Sequence, residues 1–160
     1  MPAVSAENRA FVKAMTVEVP AAAEKAARKA MEKGADEIVA MMKRLVPKRT
    51  GRLRDSIGWT WGQAPSGARV LAKSARFGGT GRLAITIYAG NQTTMVSNSR
   101  GKQWQLARLQ EFGTVKMAAN PFFFPSWRAN RSRVRGRMRR EIKYAIEAYS
   151  GGLVGRDIAA

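Results

Sequence analysis

From Pro20 to Pro47 the apolar residues fall on one face of a helix, and beyond Pro47 their period changes to two. Ala27, Met31, Gly34, Ile38, Met41 and Leu45 recur at spacings of 4, 3, 4, 3 and 4, the stripe of an amphipathic helix. The residues between them are mostly Ala, Glu, Lys, Arg and Met, which favour helix. Pro20 suits a first helical turn, where its missing N–H costs little, and Pro47 stops the run. The Ala/Gly end of the stripe is fitted for close approach of another backbone, and its Met/Leu end for anchoring in a core. Upstream, residues 6–18 read as a separate helical arm with Phe11, Val12 and Met15 on one side.

After Pro47 the pattern is that of strands. Ile57, Trp59 and Trp61 alternate with Ser56, Gly58 and Thr60, and Leu83, Ile85 and Ile87 alternate with Ala84, Thr86 and Tyr88. Arg69 to Ala75 is a weaker candidate, set off by Pro65-Ser66-Gly67 and Gly78-Gly79-Thr80-Gly81. Three strands with short turns predict an antiparallel meander. Residues 90–102 read as a long polar loop, and Gln103 to Gln110 as a short helix carrying Trp104, Leu106 and Leu109 inward. Ser126 is a candidate N-cap for a last helix that runs to about Tyr149, with Val134, Met138, Ile142, Ala145 and Tyr149 on one face. Gly151-Gly152 is expected to end it and leave residues 151–160 as a flexible tail.

The order predicts an α+β fold: a long N-terminal helix, a small antiparallel sheet of three to four strands, and a C-terminal helix packed on one face. At 160 residues with 45% hydrophobic content, one domain with a core is expected, with residues 1–19 as an N-terminal arm. No run approaches the roughly 20 apolar residues of a membrane span. The start, Met1-Pro2-Ala3-Val4-Ser5-Ala6-Glu7, lacks the basic and apolar sequence of a signal peptide, so synthesis in a cytoplasm is expected and no membrane partner.

Chemistry is thin. There is no cysteine and no histidine, which removes thiolate nucleophiles, the usual zinc ligands and the commonest general base. Only 11 acidic residues occur, and the adjacent Asp36 and Glu37 point about 100° apart on a helix. Gly78-Gly79-Thr80-Gly81 lacks the Lys-Ser/Thr of a phosphate-binding loop. No catalytic, cofactor or metal residues are therefore nominated, and the chain is not read as an enzyme. The charge is the strongest signal: +18 overall. Residues 1–47 carry 8 basic and 6 acidic side chains, and residues 48–160 carry 21 and 5. Such a field favours a polyanionic partner, nucleic acid first and anionic membrane second, or else acidic neighbouring subunits.

Two stretches stand out. In the first, Pro47 ends the helix, Thr50 can cap a short turn, Gly51 permits tight geometry, Leu53 and Ile57 point inward, and Ser56 lies between them. The second is Glu111-Phe112-Gly113-Thr114, followed by Pro121-Phe122-Phe123-Phe124-Pro125. A helix ending in Pro, then Thr-Gly-x-Leu-x-x-Ser-Ile, then Glu-Phe-Gly-Thr and Pro-Phe-x-x-Pro entering a last helix resembles the small neck, or tail-completion, proteins of lambdoid long-tailed phages. The resemblance spans residues 46 to 125. It departs before the Glu, where the family usually has a Tyr and this chain has Arg108-Leu109-Gln110.

The resemblance implies a structural virion protein of the head–tail junction, in the neck of a phage or of a domesticated particle of the gene-transfer-agent kind. It implies a homo-oligomeric ring, six copies or alternatively twelve, touching head-connector and tail proteins. The motif residues Pro47, Thr50, Gly51, Leu53, Ser56, Ile57, Glu111, Phe112, Gly113, Thr114, Pro121, Phe122 and Pro125 are then candidate subunit contacts. Each also has a plainer reading: the phenylalanines as core, Gly113 as a turn at positive φ, and Glu111 either in that turn or meeting an arginine of the next subunit. Arg128, Arg131, Arg135, Arg139 and Lys143 are candidate contacts to DNA backbone or to an acidic partner, sequence-nonspecific because no reading motif is present. A free DNA-binding protein of nucleoid type is the alternative that charge alone allows.

Overall fold

The computed structural model describes residues 6–73 and 83–154. The turn expected at Gly78-Gly79-Thr80-Gly81 and the last residues of the expected tail, 155–160, lie outside them. The chain forms two compact groups, Met1–Met31 with Arg133–Ala160, and Glu32–Ser132.

The first group is helical. Helix α1 (Ala6–Lys13) passes through one π-helical turn (Ala14–Glu18) into α2 (Val19–Leu45). The expected break before Pro20 is therefore absent, and the arm is continuous with the long helix. A proline inside a helix lacks its N–H and crowds the carbonyl four residues back, and a wider π turn placed just before Pro20 relieves both. Ala14, Ala27, Ala30 and Met31 are buried. Val12, Met15 and Val17 stay about half exposed. Helix α5 (Phe123–Val154) contributes its distal part to this group, where Glu141 and Tyr149 share a cleft with Val17, Ala21, Ala22 and Ala26. It runs through Gly151-Gly152, contrary to the expected stop. A glycine pair lowers helix propensity but does not forbid the conformation.

The second group is built on a three-stranded antiparallel sheet of β1 (Gly58–Trp61), β2 (Arg69–Lys73) and β3 (Ile85–Ala89). Its order is β1-β3-β2, not the expected meander. Gly58 faces Tyr88 and Trp61 faces Ile85, and β2 pairs the other edge of β3 with a bulge between Val70 and Ala72. The reason is burial: Ile85, Thr86, Ile87 and Ala89 are all buried, so β3 fills the centre, where both faces are covered. Ser56 ties this sheet to the turn before it, donating to Leu53 O (2.7 Å) and accepting Gly90 N–H (3.1 Å).

The polar stretch 90–102 is not a loop throughout. Asn91 caps a 3₁₀ turn (Gln92–Thr94), and β4 (Met95–Ser97) pairs with β5 (Gln103–Gln105) as a second, two-stranded sheet. Helix α4 accordingly begins at Leu106, later than expected, and runs to Phe112. Gln105 organises the hairpin: its amide donates to Gly67 O (2.6 Å) and Asn91 O (3.0 Å), and its carbonyl accepts Thr94 Oγ1 (2.6 Å). Both its amide donors and its carbonyl are engaged in a buried position, which ties the turn at Gly67 to the 3₁₀ turn at Asn91–Thr94.

On α2 the buried face holds Ala27, Met31, Gly34 and Ile38 of the expected stripe and then turns to Met42 and Val46, leaving Met41 half-buried and Leu45 43% exposed. The alternating 4 and 3 spacing averages 3.5, and a straight helix of 3.6 residues per turn drifts off such a seam by about 20° per heptad. Met42→Ala is expected to cost about 2–5 kcal/mol and Leu45→Ala less than about 0.5, measured by urea denaturation. On the sheet side, Trp59 Nε1 donates to Asp36 Oδ1 (2.7 Å) and Trp61 Nε1 to Glu32 Oε1 (3.1 Å). These acids, one helical turn apart, hold the β1 indoles on α2.

Candidate functional site

The first motif folds locally. After Pro47 the chain enters α3 (Arg52–Asp55), and its N-cap is Gly51 at φ 77°, without a side-chain cap, so Thr50 does not cap the turn. A positive φ suits glycine and is strained for other residues. Leu53, Ser56 and Ile57 are buried, and Pro47 is half-buried.

The second motif is long-range. The Glu111 side chain is buried, and its Oε2 accepts the N–H groups of Phe122 and Phe123 (2.9 Å each) while Oε1 accepts that of Phe124 (2.9 Å). These are the unpaired donors at the start of α5, and the next residue, Pro125, has no N–H to satisfy. A carboxylate there also meets the positive end of the helix dipole. Glu111 therefore caps the last helix within the chain, from a buried position. Ser126, expected as the cap, instead lies inside the helix and donates to Phe122 O (2.6 Å).

Between cap and helix the chain doubles back. Gly113, at φ 71°, donates to Leu109 O (2.8 Å), and Thr114 and Met117 close a turn (Thr114 N to Met117 O, 2.8 Å) with Val115 at its fully exposed tip. A Cβ on Gly113 would lie 2.8 Å from Met117 O and from Ala119 N, both backbone atoms. Gly113→Ala is expected to cost about 2–4 kcal/mol from strain and collision together, read as a fall in the urea midpoint. Phe122 and Phe123 are fully buried, which makes them core. Phe124 is half-buried and packs edge-on to the exposed Phe112, 6.1 Å between centroids.

The basic side chains follow helical geometry. Arg128 and Arg131 lie three residues apart on the part of α5 in the second group, and Arg135, Arg139 and Lys143 recur every fourth residue on the part in the first. All five are exposed. Arg128 lies over the Phe124 ring (6.0 Å), and Lys143 pairs with Glu147 (3.5 Å). Among the described residues no cluster of three or more acids, cysteines or histidines is placed to hold a metal, and no helix is long and apolar enough to cross a membrane.

Fold and site define a small α+β protein whose distinctive chemistry lies on its surface. The chain belongs to the HK97-gp10-like family, described as "Bacteriophage HK97-gp10, putative tail-component", whose model matches residues 9–113. That match takes in the first motif and Glu111-Phe112-Gly113, and α5 follows it. No curated protein and no solved structure matches the chain.

Proposed function

We propose that this tail component is a structural protein of the head–tail junction, assembling as a ring of six copies in the neck, between the DNA-filled head and the tail. The observation that carries the reading is the family match over residues 9–113, together with two motifs in the order of neck proteins across residues 46 to 125. Surface properties support it. Val12, Met15, Val17, Tyr144 and Ile146 are large apolar residues left exposed in the helical group, a natural surface for contacts between copies. The arginine row of α5 supplies a cationic face for packaged DNA, touching phosphates without reading bases. No catalytic step is part of this role. Particles made without the protein are expected to accumulate filled heads and separate tails, and adding purified protein is expected to join them. Normal joined particles in its absence would refute the reading.

A further inference from the structure

Beside the capping motif, β4, β5 and α4 enclose a groove of about 410 Å³ that the ring reading does not use. Its floor is apolar: Val96, Trp104, Leu109 and Phe112, with Phe112 55% exposed at one end. Its one charged lining residue is a cation: the Arg108 guanidinium lies 5.2 Å from the Trp104 ring centroid, and Lys102 Nζ lies 4.9 Å from the same ring. The acid nearest in sequence, Glu111, is buried and occupied by three backbone N–H groups.

We propose that this groove docks a short segment of a different virion protein, one that bears large apolar side chains flanked by Asp or Glu. Charge decides the occupant. A second copy of this chain carries the same +18, and its exposed Val12, Met15, Tyr144 and Ile146 lie among Arg9, Lys13, Arg139, Arg140 and Lys143 as well as Glu141 and Glu147. An acidic segment of another protein meets the cation of the groove without that like-charge cost. An acidic segment would place its apolar side chains on Leu109 and Phe112 and a carboxylate against Arg108.

The inference rests on membership of the virion but not on a ring, so the two fail by different observations. The chain has no cysteine, so Ser97→Cys, exposed at the groove, gives a unique thiol for a benzophenone photo-crosslinker in assembled particles. The expected adduct joins position 97 to an acidic segment of another virion protein. An adduct to a second copy, an adduct to DNA, or none in complete particles overturns the proposal. In solution, the whole chain is titrated with a fluorescent synthetic peptide of alternating Asp/Glu and Leu/Phe. Arg108→Glu, at an exposed position, is expected to weaken binding at least tenfold, while Arg135→Ser on α5 changes it less than twofold. Equal binding by an Asp/Ser peptide, or an Arg108→Glu variant that binds as well as wild type, overturns it too.

Discussion

Glu111→Ala is expected to lower stability by about 3–5 kcal/mol, a large part of the roughly 5–15 kcal/mol that holds an ordinary domain together. One buried carboxylate accepts three N–H groups at the start of a 32-residue helix, and alanine leaves all three without a partner. Each charge-assisted bond contributes about 1.5–3 kcal/mol, and partial entry of water recovers some of the loss. Glu111→Gln keeps one carbonyl acceptor and is expected to lose about half as much. Urea denaturation gives both values. A loss below about 1 kcal/mol for alanine would mean that the start of α5 is held by its phenylalanines alone.

Arg131→Ser, Arg135→Ser and Arg139→Ser together are expected to weaken binding to duplex DNA on the order of a hundredfold at low salt, and to flatten the log–log salt dependence by about 2.7. The slope falls by about 0.9 for each phosphate contact removed, so three contacts give that change. Folding is expected to survive, because the three side chains are exposed. If the row grips an acidic neighbour instead, the same triple variant leaves DNA affinity alone and stops heads from joining tails. If neither property changes, the arginines form only a solvated face.

Much of this architecture is legible in sequence because it depends on local periodicity. The α2 stripe, the alternation through Leu83, Ile85 and Ile87, and the inward Leu53 and Ile57 all follow from which side of an element faces a core. The errors come from partners distant in the chain. Strand order needs to know that β3 is covered on both sides, which alternation alone does not reveal. β4 and β5 are three residues each and largely exposed, too short for alternation to mark them, and pairing and the Gln105 hub create them rather than propensity. Ser126 has the sequence signature of a cap, yet the cap is Glu111, 11 to 13 residues upstream of the N–H groups it accepts and brought there by the turn at Gly113. Glu-Phe-Gly-Thr before Pro-Phe-x-x-Pro is the signal that could have disclosed it: an acid, a reversal, and then a helix start with donors to fill. The groove was equally hidden, because Val96 belongs to the stretch read as loop, although Trp104 and Leu109 were expected near a core.

The most direct test of the account is a reconstruction of the head–tail junction from intact particles. The expected result is density for this chain as a closed ring of six copies between head and tail, with the exposed face of α5 turned toward the DNA. A single copy bound at one point, or density confined to the tail shaft or tip, would contradict it.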